Sequence, residues 1–263
     1  MQARYNWLGA CRGCGFQAST LTPGAGTGIA GLEQLRRDNF EALLDRLEQI
    51  RPLRGAKLLE VGCAKGWFLA AAAERGAKAK GIEPELANVE IARAAGLSVE
   101  AGFFPADLAD KGPYDLVVFN DVFEHLPSPA AAIKDVAALL SPGGLVAINL
   151  PSSHGTLYWI ASIWTALGMN GPFERMWQKG FPSPHLSYFS PSNLSALVER
   201  HSGLKSVARF PLTSVTRRGL AERIASSHKG LVGTAMFAGI WALAFILPLL
   251  PADIHVGVFK KPG

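Results

Sequence analysis

AKLLEVGCAKGWFLAAAAERGAKAKGIEP, residues 56–84, decides the fold. Lys57 to Val61 reads as a short apolar strand that runs into a tight turn, Gly62-Cys63-Ala64-Lys65-Gly66. An alanine-rich helix should follow, and a second strand ends on an acid, Glu83. The turn needs glycine because Gly62 can take backbone angles closed to other residues, and without a Cβ the chain can pass close to a ligand. A helix starting near Gly66 aims unpaired N–H groups and a positive dipole end at the same place.

Together these features form a cradle for a nucleoside cofactor. Glu83 follows Gly62 by 21 residues (83 − 62), the distance at which an acid accepts hydrogen bonds from ribose hydroxyls. A dinucleotide fingerprint G-x-G-x-x-G read from Gly62 would place glycine at 64 and 67, where the chain has Ala64 and Trp67. Trp67 would crowd a pyrophosphate. The pattern acid-x-Gly-x-small-x-Gly is filled instead, by Glu60, Gly62, Ala64 and Gly66. Downstream, YDLVVFNDVFEHLPSPAAAIKDVAALLSPGGLVAINLP (114–151) reads as strand, loop, helix, Pro-Gly-Gly turn and strand. Its apolar run ends abruptly at Asn120-Asp121, which places polar groups at a strand's carboxyl end, where open α/β sheets bind ligands.

These three motifs, in this order, resemble those of the class I S-adenosylmethionine (SAM)-dependent methyltransferases. The one departure is Ala64 where glycine is commoner. The resemblance implies an α/β, doubly wound, mostly parallel seven-stranded sheet whose last strand, Ile254 to Lys260, is antiparallel. It implies SAM as cofactor, with Gly62, Cys63, Ala64 and Gly66 along its methionine and ribose side and Glu60 orienting the turn or meeting its amino group. Glu83 would bind the ribose hydroxyls, Asn120 and Asp121 would sit beside the methionine portion, and Phe103 or Phe104 would flank the adenine or serve the core. His125 and His185 are candidate bases, or structural histidines, for a hydroxyl acceptor that must lose its proton. Glu124 could orient His125, although adjacent residues on a regular element usually face apart.

Strands are expected at 57–61, 79–83, 97–101, 115–119, 145–150, 204–210 and 254–260, and helices at 66–75, 85–95, 129–140 and 191–201. Ahead of them, Leu32, Leu35, Leu43, Leu44, Leu47 and Ile50 recur at helical spacing over 29–50. The domain division follows: an N-terminal segment over 1–28, then a methyltransferase domain over 29–263. Within 1–28, Cys11-Arg-Gly-Cys14 offers two thiolates where a closed zinc site needs four ligands. Some relatives carry an N-terminal zinc ribbon, and this is similar to its second half. A remnant without metal is the reading, and ligands from a partner chain are the rival. Residues 18–28 read as a small-residue linker.

Two stretches exceed the minimal fold. Residues 152–190 form an insertion rich in large aromatics, read as a lid over the cofactor's methyl group or as a satellite hydrophobic cluster. Its His185-Leu-Ser-Tyr-Phe-Ser-Pro segment resembles one methyltransferase subgroup that includes ubiquinone-pathway O-methyltransferases and glycan-associated enzymes. Leu231 to Leu250 has no charged residue, and Arg217, Arg218, Arg223 and Lys229 lie upstream. The readings, in order, are a helix lying in a membrane interface, a buried helix, and a span. A span would pull Ile254 to Lys260 away from the sheet.

With a net charge of +5 and a pI near 9.2, and no basic block interleaved with aromatics, nucleic-acid readout is not expected. Three cysteines and no apolar leader at Met1 to Leu8 point to a reducing cytoplasmic setting, with membrane association possible through 231–250. The leading functional reading is methyl transfer, with O-methylation favoured, to a small-molecule or lipid-linked apolar acceptor. A nicotinamide-dependent oxidoreductase and a non-catalytic, membrane-associated SAM-binding module are the alternatives.

Overall fold

The computed structural model describes residues 5–24, 32–216, 220–221 and 230–263. Arg217, Arg218, Arg223 and Lys229 lie outside the described residues, as do the end of the expected linker and the first residues of the expected 29–50 helix. Contacts along the chain cluster into two units. One comprises Phe40–Leu150, Pro191–Phe210 and His255–Gly263; the other comprises Met1–Asn39, Pro151–Ser190 and Pro211–Ile254.

The sheet of the Phe40–Leu150 unit holds the strands the sequence foretells. In chain order they are β3 (Lys57–Val61), β4 (Lys78–Glu83), β5 (Val99–Ala101), β6 (Tyr114–Asn120), β7 (Leu140–Pro151), β9 (Lys205–Leu212) and β10 (Ile254–Lys260). They lie in the order β5-β4-β3-β6-β7-β10-β9. The pairs β3–β4, β3–β6, β4–β5 and β6–β7 are parallel. Lys261 donates to the Gly144 carbonyl and Ser152 to the Asp253 carbonyl, so β7 positions rise as β10 positions fall. The last strand is therefore antiparallel, and it stays inside the sheet.

Helices α1 (Glu33–Ile50), α2 (Trp67–Glu74), α3 (Leu86–Ala94), α4 (Pro129–Leu139) and α7 (Pro191–Ser202) carry the apolar periodicity. Leu43, Leu44 and Leu47 of α1 are fully buried, as are Ile133 and Val136 of α4. One boundary moves. The Ser141-Pro-Gly-Gly segment, expected as a turn, belongs to β7, and a register irregularity between Tyr114 and Leu116 of β6 absorbs it. Gly143 takes φ 71° there, which is why a glycine can sit in the irregular stretch.

In the other unit the first two residues of the expected 18–28 linker, Ala18 and Ser19, are strand rather than linker. Strands β1 (Leu8–Ala10) and β2 (Gln17–Ser19) form a hairpin around Cys11 to Cys14, and β2 pairs antiparallel with β8 (Ser187–Tyr188). Helices α5 (Thr156–Ala166) and α6 (Gly171–Met176) fill the insertion. Its large aromatics are not all free to face a ligand. Tyr158, Phe173, Trp177 and Tyr188 pack with Tyr5 and Trp7 in one buried cluster, and Tyr5 stacks on Phe173 with ring centroids 5.4 Å apart. For these residues the satellite cluster is what the structure contains. Trp159 and Trp164 remain exposed.

Helix α8 (Gly230–Ile246) and a 3-10 turn at Leu247–Leu249 account for the apolar stretch. Pro248 stands in that turn, where it cannot continue an α-helix. Among the described residues no helix is long and apolar enough to cross a membrane.

Candidate functional site

The carboxyl ends of β3, β4 and β6 converge on the turn that follows β3. Register explains the convergence. Glu60 pairs with Gly81 on β4 and with Val118 on β6, so Asn120, two residues past Val118, projects from the same face as its neighbours along the pleat. Asn120 Nδ2 donates to Glu60 Oε1 at 2.8 Å. Both side chains are buried, and Glu60 Oε2 and Asn120 Oδ1 have no hydrogen-bond partner among the described residues. Burial first, and then the negative charge of Glu83, raise the Glu60 carboxyl to about 8 against the lowering effect of the Asn120 bond.

Glu83 ends β4 with both oxygens engaged. Oε2 accepts from the Ala64 backbone N–H at 2.9 Å, and Oε1 accepts from the Glu85 N–H at 3.0 Å. Each oxygen keeps a further lone pair for a hydroxyl. The acid thus holds the turn and presents its remaining acceptors beside it.

The turn is built on left-handed backbone. Gly62, Ala64 and Gly66 have φ of 70°, 45° and 79°. Ala64 therefore sits at an angle where glycine is at ease and alanine is strained, which gives a physical meaning to its departure from the commoner pattern. At Gly62 a Cβ would meet Val122 Cγ2 at 2.5 Å, and at Gly66 it would meet Leu97 Cδ1 at 2.4 Å. Glycine is dictated here by φ and by packing, not only by room for a ligand. The Cys63 thiol is buried and stands 2.4 Å from where a Cβ on Gly81 would lie. Burial raises that thiol's pKa far above its usual value, and the charges of Glu60 and Glu83 add to the effect.

Phe103 and Phe104 now separate. Phe104 packs edge-on against Phe119 with centroids 5.9 Å apart, a core role. Phe103 follows Gly102 with its side chain 68% exposed, so its ring is available to a ligand. Asp121 has φ 54° and donates its N–H to the Asn149 carbonyl. His125 ends a 3-10 turn, Phe123–His125, just beyond β6. Its Nε2 lies 4.0 Å from Oε1 of the buried Glu124, so these neighbours do face each other, because the turn is too tight for the alternation of a strand. In the other unit His185 is buried, with its ring edge-on to Tyr188 at 5.4 Å. Its backbone N–H donates to the Trp177 carbonyl, and its carbonyl accepts from Ser19 Oγ at 2.7 Å.

Three contributors escape a reading of the sequence. Val122 closes the space over Gly62, and the Glu85 N–H fixes one oxygen of Glu83. Asn149, buried in β7, supplies the carbonyl that holds Asp121. Only Asn149 leaves a signal: an amide inside the apolar run Leu145 to Leu150.

The residues present suit a ligand carrying an ammonium and a ribose. Two buried oxygens without a partner among the described residues, Glu60 Oε2 and Asn120 Oδ1, lie beside each other, and Glu83 offers a fixed carboxylate with spare lone pairs. Comparison with known proteins places the chain among methyltransferases. A model of the methyltransferase domain matches residues 32–208. The ubiquinone biosynthesis O-methyltransferase of Bordetella avium (strain 197N) is 30% identical over 217 residues, covering 70% of this chain and 88% of that protein. Its counterpart in Bordetella bronchiseptica (strain ATCC BAA-588 / NCTC 13252 / RB50) is 27% identical over 230 residues, covering 75% and 92%. Among solved structures, magnesium protoporphyrin IX methyltransferase from Synechocystis PCC 6803, with bound SAH (S-adenosylhomocysteine), matches with a TM-score of 0.59 at 14% identity, covering 90% of each chain. A SAM-dependent methyltransferase from Archaeoglobus fulgidus matches at 0.55 and 18% identity, covering 88% of this chain and 97% of that one.

Proposed function

This chain belongs to the SAM-dependent methyltransferase family, and from that premise we propose that it methylates a hydroxyl oxygen of a small, apolar acceptor of the ubiquinone-precursor kind. The observation that carries the choice of acceptor is the similarity, over 70% of the chain, to a ubiquinone biosynthesis O-methyltransferase. SAM supplies an activated methyl group on a sulfonium.

The chain's own part is to hold and aim. Glu83, fixed by Ala64 and Glu85, grips the ribose hydroxyls. Gly62, Cys63, Ala64 and Gly66 line the turn beside the methionine and ribose portions, and Glu60 with Asn120 and Asp121 receives the ammonium end. The exposed Phe103 ring covers the adenine. Positioning of this kind can supply ~7–11 kcal/mol of barrier lowering in ideal intramolecular cases. Methyl transfer breaks the sulfur–carbon bond and forms an oxygen–carbon bond, and the acceptor's hydroxyl proton must leave. His125, whose Nε2 lies 4.0 Å from Glu124 Oε1, takes that proton, and His185 is the second candidate.

The chain also meets a membrane surface peripherally. Supporting this, α8 and the following turn expose Trp241, Phe245, Ile246 and Leu249, the last 84% exposed, and in the same unit Trp159 of α5 and Leu167 just after it are exposed. Thr156 at the start of α5 donates its N–H and its hydroxyl to the Pro251 carbonyl, just beyond that turn.

The test is transfer of a labelled methyl group from SAM to a polyprenylated catechol, followed by organic extraction. Label in the organic phase that depends on the catechol hydroxyl supports the reading. Turnover on amines or on water-soluble acceptors alone would overturn it.

A further inference from the structure

Glu60 is an acid at the end of β3 that meets no cation among the described residues. Its side chain is 2% exposed at the carboxyl end of β3. Oε1 has the Asn120 amide, while among the described residues neither Oε2 nor the adjoining Asn120 Oδ1 has a hydrogen-bond partner. The charged group that bears on it is Glu83 from β4, while the Cys63 thiol in the turn after its own strand is neutral, its own ionisation opposed by burial and by Glu60. From β6 the facing group is the neutral Asn120, and the residues registered beside it are Gly81 and Val118. The Glu83 charge therefore opposes ionisation, and an ionised carboxylate buried without a cation is costly. The cofactor-free chain keeps a proton on Glu60 at neutral pH, consistent with the upward shift to about 8.

Binding reverses the balance. The methionine end of SAM or of SAH brings an ammonium, and SAM adds the sulfonium. A positive charge within ~4–6 Å favours the ionised carboxylate. We propose that the chain takes up its cofactor with release of the Glu60 proton to solvent, the carboxylate so formed neutralising the cofactor's ammonium. This rests on the SAM reading of the site and adds to it a proton-coupled affinity. Below about pH 8 the free protein must lose a proton before the ion pair can form. Affinity therefore rises with pH, by up to about tenfold per unit, and levels off as Glu60 becomes ionised in the free protein too.

The experiment is calorimetric titration of SAH into the full chain at pH 7.0 in buffers of different ionisation enthalpy. The slope of observed heat against buffer enthalpy counts the protons. Most of one proton should leave per SAH bound, since burial and Glu83 hold the Glu60 carboxyl protonated in the free chain at that pH. Glu60→Gln, which has no proton to release, should give a slope near zero. Infrared difference spectra provide a second readout that needs no variant: the C=O stretch of a protonated carboxyl should disappear when SAH binds. SAH binding without proton release, or with a release that Glu60→Gln leaves intact, or with the carboxyl band unchanged, would overturn the proposal while leaving the cofactor assignment standing. Failure of the folded wild-type chain to bind SAH at all would overturn both.

Discussion

The Glu83 carboxylate accepts a hydrogen bond from the backbone N–H of Ala64 at 2.9 Å. The acid at the end of one strand thus anchors the turn at the end of its neighbour, and the two halves of the cofactor site form one hydrogen-bonded piece. Removing the acid should both loosen the turn and strip the ribose of its acceptor.

Glu83→Ala should therefore weaken SAM binding by more than one lost contact would. A hydrogen bond to a charged group is worth about 1.5–3 kcal/mol, so a fall in affinity of at least tenfold is expected by calorimetry. Glu83→Gln keeps one acceptor oxygen and should fall between. Unchanged affinity in Glu83→Ala would remove the ribose assignment.

Ala64 holds φ 45°, where a Cβ is strained. Ala64→Gly relieves that strain but adds freedom to the unfolded chain, worth about 0.4–1 kcal/mol in the opposite direction. The net gain should raise the melting temperature by about 1–3 °C. A lower melting temperature would show that the methyl group packs usefully in the turn.

Glu60 also predicts a pH dependence of stability in the cofactor-free protein. Its folded value of about 8 lies above the 4.5 of an ordinary glutamate. Between these values the folded chain holds a proton that the unfolded chain has lost, so stability declines as pH rises through the window. Glu60→Gln should flatten this decline, and its advantage over wild type should grow from pH 5.5 to pH 8 in urea unfolding. Parallel pH profiles for the two proteins would contradict the buried, protonated carboxyl.

If His125 is the base, His125→Ala should lower kcat by ~10²–10⁴-fold while SAM affinity holds. His185, whose backbone and ring are locked among Trp177, Ser19 and Tyr188, should cost mainly stability when truncated. A large kcat loss confined to His185→Ala would exchange the roles, and full turnover in both variants would mean that neither histidine is the base.

Most of the sheet was legible because its strands are local apolar runs ended by punctuation: Val61 before Gly62, Glu83 before Pro84, and Asn120 after Phe119. The pairing of Glu60 with Asn120 follows from parallel register and was within reach of the pattern. What was hidden depends on distant partners. Ala18 looks like a linker residue, yet it pairs with Ser187, far away in sequence. Nothing in a small polar stretch announces such a partner. The aromatics of the insertion misled for the opposite reason. Tyr158, Phe173 and Trp177 signal burial clearly, but the sequence does not say whether they bury against a ligand or against Tyr5 and Trp7. At Cys11 the tight hairpin brings the backbone N–H groups of Cys14 and Gly13 onto the thiol and lowers its pKa, a local arrangement no spacing rule reports.

The central claim, that the turn between β3 and α2 holds SAM with Glu83 on its sugar, is tested most directly by a crystal structure of the chain with SAH. The account predicts both ribose hydroxyls within hydrogen-bond distance of the Glu83 carboxylate and the ligand's amino group at the Glu60–Asn120 end. A ligand bound away from this turn, or ribose hydroxyls held by other residues while Glu83 stays only on Ala64 and Glu85, would contradict it.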